Sequence, residues 1–366
     1  MLTVDCPEFQ TTLIDRDEER SNPDLSIGTD RQYYCKNLKH PGAFSDIITQ
    51  SRVMMDLFRY TESIADSTEP VLITGETGVG KELFSRAIYL AGDSKGSFIA
   101  VNVAGIDDLS FSDTLFGHRK GAFTGALDSR QGLLQQAQNG TLLLDEVGDL
   151  SQNSQIKLLR LIDNGEYYPL GLDTPVKSNA RIIAASNRNL GLLVKSGHFR
   201  KDLYYRLSTH VVGIPPLRER KEDISLLFEH FVQKTSREYN YPVLSWSPGF
   251  IYMLKSYPFP GNVRELRAMT VDATHRSQSG LFYMEAIQNK IKSASEYITK
   301  KPKKSSLANE TMFSCDLPLP SLKQIKKQLI GEALKRTEGN QSLAACMLGI
   351  SRQALNKRLC NGQWLN

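Results

Sequence analysis

The chain has 366 residues, of which 40% are hydrophobic and 23% are charged, as in a globular protein of two or three domains. It contains no run of 18 apolar residues, and its start, MLTVDCPEF, lacks a basic segment followed by an apolar one. The sequence therefore predicts neither a membrane span nor a signal peptide. Five scattered cysteines without a CxxC pair favour a reducing cytoplasm over a disulfide framework or a zinc site.

The net charge of +5 is unevenly distributed along the chain. Residues 286–366 hold 14 Lys and Arg against 5 Asp and Glu, whereas the remainder holds 31 against 35. A near-neutral body with a basic tail predicts that the C-terminal end contacts nucleic acid. Composition alone leaves open the alternative of a solvated basic linker.

Residues 1–43 are polar, with acids clustered at Asp15–Glu19, and predict a loosely ordered arm. A sensory domain needs about 100 residues, so we expect none in this segment. We therefore expect control by a trans-acting regulatory protein, by oligomer assembly or by expression level.

Residues 44–218 alternate short apolar runs with amphipathic helices, which predicts an α/β sandwich with a mainly parallel sheet. The expected strands are Pro70–Thr74, Phe98–Asn102, Gly140–Asp145 and Ala180–Ser186, and the helices between them include Lys81–Ala91 and Gln152–Asn164. Residues 219–285 are helical in pattern and predict a separate small subdomain, with helices at Glu222–Tyr239, Pro248–Ser256 and Val263–Ser277.

A phosphate-binding loop is predicted where Gly75-x4-Gly80-Lys81 follows a strand and opens a helix. Backbone N–H groups of such a loop face phosphates, and Lys81 would bind the β and γ phosphates of ATP. Glu82 stands where the general motif has Ser or Thr for magnesium. The alternative is a chance glycine-rich turn.

An acid pair ends the apolar strand TLLLD. At the carboxyl end of a sheet strand, both Asp145 and Glu146 can face the crevice. Asp145 suits Mg²⁺, directly or through water, and Glu146 suits the general base that polarises the attacking water. An N-cap acid pair is the alternative, which the three leucines before Asp145 disfavour.

The string GAFTGA, Gly121–Ala126, lies between these two motifs and sets Phe123 and Thr124 at a glycine-bounded loop tip. A phenylalanine in such a tip has little core to enter, and exposed apolar groups often mark a partner surface. The local pattern equally allows a hairpin turn that buries Phe123.

The C-terminal block, residues 321–366, follows a Lys-, Ser- and Pro-rich linker at 286–320. A helix at Leu343–Leu348, a turn at Gly349 and a second helix at Arg352–Cys360 form a helix-turn-helix pattern. Leu355 and Leu359 would pack inward, and a helical hairpin that closes the fold is the alternative. The side chains expected to reach DNA are Ser351, Arg352, Gln353, Asn356 and Lys357.

Together, GETGVGKE, GAFTGA and LLLDEVGD resemble the sigma-54-dependent transcriptional activators, which are AAA+ ATPases. The resemblance covers about residues 44–285 and, as a Fis-like block, 321–366. It implies an AAA+ P-loop α/β sandwich with a helical lid, plus a small all-α helix-turn-helix domain. Glu82 fits the family form, whereas Arg119 stands where the family often has Glu. It also implies that a loop contacts sigma-54 in the closed promoter complex, through Gly121, Ala122, Phe123, Thr124, Gly125 and Ala126.

The same resemblance assigns further residues of the ATPase site. FIAVNV gives Asn102, which restrains the catalytic glutamate, and ASNRN gives Asn187 as sensor I. FRKDLYYRL gives Arg200 and Arg206 as arginine fingers for a neighbouring subunit, although a single such Arg is as often in a surface ion pair. PFPGNVREL gives the sensor II arginine, so the implied nucleotide contacts are Gly75, Glu76, Thr77, Gly78, Val79, Gly80, Lys81, Glu82 and Arg264.

The sequence thus predicts a cytoplasmic activator that uses ATP and Mg²⁺, in a short form without a receiver domain. We expect self-association from dimers to a hexameric or heptameric ring, binding to double-stranded enhancer DNA, and remodelling of the sigma-54 RNA polymerase closed complex. One alternative is a DNA-binding regulator whose ATPase no longer turns over, which the intact Lys81, Asp145 and Glu146 disfavour. Another is an AAA+ unfoldase or helicase loader, which the GAFTGA loop and the helix-turn-helix disfavour.

Overall fold

The computed structural model describes residues 2–3, 11–14, 38–242, 244–277, 281–285, 287–288, 291, and scattered positions from 329 to 360. The chain forms two compact units, residues 1–299 and 300–366. Within the described part of the chain, no helix combines the length and the apolar character needed to cross a bilayer.

The first unit contains a central sheet with strand order β1-β2-β4-β7-β10-β3-β11. The strands β4, β7, β10, β3 and β11 run parallel, which confirms the predicted sheet. The bounds are β1 Leu2–Thr3, β2 Thr11–Ile14, β3 Val71–Thr74, β4 Phe98–Asn102, β5 Gly117–His118, β6 Arg130–Gln131, β7 Thr141–Asp145, β8 Glu166–Tyr167, β9 Val176–Lys177, β10 Arg181–Ser186 and β11 His210–Gly213.

The N-terminal segment differs from the expected loose arm at two short strands. Strand β2 pairs antiparallel with β4, and β1 pairs antiparallel with β2. The free backbone edge of β4 can accept a strand whatever its side chains are, so the polar composition did not reveal this pairing. Leu38 and Phe44 are buried in the adjoining core, so this core begins close to the domain boundary predicted at residues 43–44.

Helices cover both faces of the sheet. Because side chains alternate along a strand, Leu142 and Leu144 enter one core and Leu143 enters the other. The helices are α1 Arg52–Ser63, α2 Lys81–Ala91, α3 Asp108–Phe116, α4 Leu133–Gln136, α5 Gln152–Asn164, α6 Leu190–Lys195, α7 Lys201–Leu207, α8 Glu222–Glu238, α9 Pro248–Ser256 and α10 Asn262–His275. Helices α1 and α2 pack over the core that holds Leu143, and α3 to α7 pack over the other.

The lid consists of α8, α9 and α10 around an aromatic core. Phe228 is buried and packs edge-on against Trp246, Phe250 and Phe282. Ile287 is also fully buried in this core, two residues beyond the expected end of the lid at 285. The connection from β11 to α8, Ile214–Lys221, contains a 3-10 turn at Leu217–Glu219 and is called the hinge below.

The second unit is described at fewer positions and contains helix α11, Arg352–Cys360. Its buried residues include Ala344, Ala345 and Leu355, and Leu348 packs against them. This agrees with the inward face expected for a helix-turn-helix. Outside the described residues lie the side chains of Met347 and Leu359, Ser351 and most of the linker at 286–320.

Candidate functional site

Three predicted parts of the ATP site meet at the carboxyl edge of the parallel sheet. Strands β3, β7 and β10 are neighbours in the sheet and end at Thr74, Asp145 and Ser186. The loop from Gly75, the acid Glu146 and the sensor Asn187 follow these ends directly. The carboxyl edge is where open α/β sheets bind ligands, so the topology explains the convergence.

The phosphate loop has the backbone that an anion cradle requires. Gly78 and Gly80 have φ values of 81° and 107°, in a region that side chains rarely allow. A Cβ added to Gly78 would also overlap the carbonyl oxygen of Gly261 in the lid. Helix α2 begins at Lys81 directly after the loop, so its N-terminal N–H groups add positive potential there. These residues fit a nucleotide phosphate.

Lys81 and Glu146 face each other across this cradle. The Lys81 side chain is 7% exposed, and its Nζ donates to the Gly75 carbonyl at 3.3 Å and lies 3.7 Å from Glu146 Oε1. Glu146 Oε2 accepts from the backbone N–H of Asn187 at 3.0 Å. Glu146 has φ 60°, a strained value for a non-glycine residue, of the kind that structures retain at functional sites.

The two predicted asparagines, Asn187 and Asn102, make different contacts near the acid pair. Asn187 joins the acid to the phosphate loop, because its Nδ2 donates to Thr77 Oγ1 at 3.1 Å. Asn102 lies opposite Asp145 in the β4–β7 register, but its Oδ1 accepts from the backbone N–H of Ala104 at 2.9 Å. Among the described hydrogen bonds, one joins Glu146 to Asn187 and none joins it to Asn102.

A cation would relieve a charge conflict beside the cradle. Loss of solvent raises the pKa of the Glu82 carboxyl, and the charge of Asp145 raises it further, while Arg264 partly offsets both. Carboxylates present hard oxygen ligands of the type that Mg²⁺ prefers, and a bound cation would offset the burial and the charge of Asp145 that raise the pKa of Glu82. Asp145 and Glu82 therefore fit a magnesium ion at this point.

The carboxylate of Glu76, an expected nucleotide contact, is paired within the chain. Its carboxylate accepts from both terminal nitrogens of Arg218 at 2.8 and 2.6 Å, and from Asn262 Nδ2 at 3.1 Å. These hydrogen bonds, from Arg218 first and then from Asn262, lower the pKa of Glu76 to about 2. Arg218 and Asn262 were not identified from the sequence, because the ion pair joins positions 142 residues apart.

The two predicted arginine fingers lie on α7 or at its start and pair with carboxylates of their own chain. Arg200 pairs with Asp202 at 2.6 Å, and Arg206 pairs with Asp163 at 2.6 Å. The side chains are 37% and 63% exposed, respectively. The surface ion pairs weighed as an alternative are thus present, and both guanidinium groups remain accessible to a neighbour.

The GAFTGA string forms the tip of the β5–β6 hairpin, in the segment that joins α3 to α4. The Gly121 N–H donates to the Ala126 carbonyl at 2.9 Å and closes the tip. Phe123 is half-buried, with its ring 5.0 Å from that of His118, and Thr124 is exposed. The local alternative of a hairpin that buries its phenylalanine is therefore met only in part.

Helix α3 connects the base of this hairpin with the segment that follows strand β7. Asp108 accepts hydrogen bonds from Ser151, from Asn153 at 3.0 Å and from Ser154 at 2.7 Å, all at the start of α5. These bonds, with Ser151 first, lower the pKa of Asp108 to about 2. Only five residues separate Glu146 from the start of α5, so α3 is tied close to the catalytic acid.

Helix α11 presents polar side chains away from its core in the second unit. Arg352, Gln353 and Lys357 are exposed and Asn356 is half-buried, while Leu355 is buried. This division matches the reading face expected from the helical period.

Comparison with known proteins agrees with this architecture. Family models match residues 47–213 as a sigma-54 interaction domain, 218–304 as an AAA+ ATPase lid domain and 321–360 as a bacterial regulatory protein of the Fis family. The chain is 42% identical over 318 residues to the regulatory protein AtoC of Escherichia coli K12, covering 86% of this chain and 67% of AtoC. The chain belongs to the sigma-54-dependent transcriptional activators.

Other activators of this family and solved structures extend the match. The transcriptional regulator NtrC of Escherichia coli K12 is 37% identical over 342 residues, covering 90% of this chain and 72% of NtrC. The crystal structure of NtrX from Brucella abortus in complex with ATP superposes with a TM-score of 0.62 at 28% identity, covering 87% of this chain and 69% of NtrX. This sigma-54-dependent activator is an AAA+ ATPase with a Fis-type helix-turn-helix domain.

Proposed function

We propose that this chain hydrolyses ATP in an oligomeric ring, binds enhancer DNA and remodels the sigma-54 RNA polymerase closed complex through its GAFTGA loop. The observation that carries the proposal is the exposed Thr124 at the tip of a hairpin whose supporting helix is tied to the catalytic edge through Asp108. A loop tip that holds no phosphate ligand is available to a partner, and its support can respond to the nucleotide site.

Within the site, the residues divide the chemistry among themselves. The loop backbone and Lys81 hold the phosphates, and Glu146 orients and activates the attacking water as general base. Asp145, with Glu82, would hold a magnesium ion, which would neutralise phosphate charge. Asn187 keeps Glu146 in register with the phosphate loop through its contact with Thr77.

In the ring, each ATP site receives arginines from the neighbouring subunit. Arg200 and Arg206 are exposed, and a planar guanidinium from a neighbouring subunit neutralises charge as the γ-phosphoryl group leaves. Enhancer binding belongs to α11 and the preceding Ser351, with Arg352, Gln353, Asn356 and Lys357 reading or anchoring DNA. The crystal structure of NtrX with ATP supports ATP as the nucleotide.

The test is a purified system with sigma-54 RNA polymerase, a linear promoter that carries the enhancer site, and this protein. We expect open complexes with ATP, none with a non-hydrolysable analogue, and none when sigma-54 is replaced by the principal sigma factor. Open complexes formed without hydrolysis, or equally with either sigma factor, would contradict the proposal.

A further inference from the structure

The phosphate loop is joined to the hinge and the lid by hydrogen bonds and an ion pair. Glu76 forms a two-pronged ion pair with Arg218 of the hinge. Asn262, at the start of lid helix α10, donates its Nδ2 to Glu76 and also to the Thr77 carbonyl, both at 3.1 Å. The same Asn262 accepts from the Leu217 N–H of the hinge at 2.8 Å, so one side chain joins all three segments.

Further hydrogen bonds to backbone carbonyls of the loop come from the lid and the hinge. The Gly78 carbonyl accepts from the N–H groups of Val263 and Arg264 at 3.0 and 3.3 Å. The Val79 carbonyl accepts from the buried Arg220 at 2.9 Å. In a trans peptide the C=O and the next N–H point in opposite directions, so the Thr77 and Val79 carbonyls, held by the lid and the hinge, turn the N–H groups of Gly78 and Gly80 to the opposite side, where the phosphates are expected. The Val79 N–H instead donates to the Glu76 carbonyl at 3.4 Å.

The chemistry of Glu76 suits an anchor better than a phosphate ligand. A free carboxylate beside a triphosphate would repel it, whereas here Arg218 neutralises the charge in a bidentate geometry that also fixes direction. Asn262 is fully buried and has φ 53°, an unfavourable backbone that the surrounding contacts maintain.

We propose that Glu76 is a positioning residue that clamps the phosphate loop to hinge and lid through Arg218 and Asn262, and that it is not a ligand of the nucleotide. The inference rests on the proposed nucleotide site, because the clamp acts only through that loop. The position of the lid then sets the affinity for the phosphates, and bound nucleotide biases the lid by the same amount.

The test compares ATP binding and steady-state hydrolysis of the full-length parent with Glu76→Gln, Arg218→Gln and the double variant. We expect each single change to raise the Kd and KM for ATP about fivefold with a smaller change in kcat, and the double variant to be no worse than either single one. The matched control is Glu219→Gln, which removes an exposed carboxylate beside Arg218 and should leave KM at the parent value.

Losses that add in the double variant would overturn the clamp, because a nucleotide ligand at 76 acts independently of Arg218. Parent-like ATP affinity in Glu76→Gln would also overturn it. Thermal unfolding checks each variant, and Arg218→Gln cuts the same pair from the other side if Glu76→Gln does not fold. Lys81→Ala separates the two proposals. If Lys81→Ala binds ATP like the parent, the proposed nucleotide site is wrong. If Lys81→Ala loses ATP binding while Glu76→Gln keeps the parent affinity, only the clamp is refuted.

Discussion

Glu146 shows how the local chain prepares one residue for chemistry. It follows the buried strand β7, adopts a left-handed backbone and directs its carboxylate between Lys81 and the Asn187 N–H. A residue held in this way keeps its geometry when the surrounding charges change, because the buried strand and two contacts determine it. The lysine and the acid therefore have separable roles.

This separation predicts two different phenotypes. Lys81→Ala should lose ATP binding, because the amine that faces the phosphates is removed. Glu146→Gln should bind ATP but hydrolyse it at least about 10²-fold more slowly, because the general base is removed while the shape is kept. Nucleotide binding and phosphate release measure the two steps. Hydrolysis by Glu146→Gln at the parent rate would exclude Glu146 as the base.

The exposed arginines of α7 predict a requirement for a second subunit. Arg206→Ala should bind ATP and lose hydrolysis by on the order of 10³-fold, as for other trans-acting arginines. Mixing it with Glu146→Gln should restore part of the phosphate release, because an intact acid and an intact arginine then meet at shared interfaces. Arg276→Ala, which removes another exposed arginine paired with its own helix, is the control and should keep full activity. Absence of restoration in co-assembled mixtures would count against action between subunits.

At the scale of elements, the sequence predicted the parallel strands and the helices of the site but not what connects them. Strand β4 and helices α2 and α5 have the predicted bounds, because buried parallel strands are continuous apolar runs and the helices are amphipathic. Strand β11 was missed, since His210–Gly213 offers only two apolar residues. The clamp at Glu76 and the tie at Asp108 were missed because both join distant segments through polar side chains, which have no periodic pattern.

The tie between α3 and α5 predicts that hydrolysis and output can be uncoupled. Asp108→Ala should keep ATP hydrolysis near the parent rate but lower open-complex formation about tenfold, since coupling between sites is typically worth 1–3 kcal/mol. The adjacent Asp107 is the matched control, because it caps α3 itself through the N–H groups of Leu109 and Ser110, and no described hydrogen bond joins it to α5. Equal defects in Asp107→Ala and Asp108→Ala would show that only the stability of α3 matters.

At the scale of the whole molecule, the proposed contacts with nucleotide, polymerase and DNA lie in three different parts of the chain. The family models for the ATPase, lid and Fis-type segments follow one another along residues 47–360, in the order expected from the sequence. Arg352→Ala should weaken binding to the specific site by about 1–3 kcal/mol, the cost of a lost base contact, without changing ATP hydrolysis. Arg237→Ala, which removes an exposed positive charge from the lid, is the control in the same titration. Unchanged operator affinity in Arg352→Ala would remove this residue from the reading face.

If the GAFTGA tip transmits hydrolysis to sigma-54, as we propose, a change at Thr124 should separate hydrolysis from its output. Thr124 is exposed, whereas its neighbour Phe123 packs against His118 and supports the tip. The decisive measurement compares phosphate release with open-complex formation on a linear sigma-54 promoter for the parent and Thr124→Ala, with Ser129→Ala as an exposed hydroxyl control on the same hairpin. We expect parent-like phosphate release and no open complexes for Thr124→Ala, with both activities retained in the control. Normal open-complex formation by Thr124→Ala would contradict it.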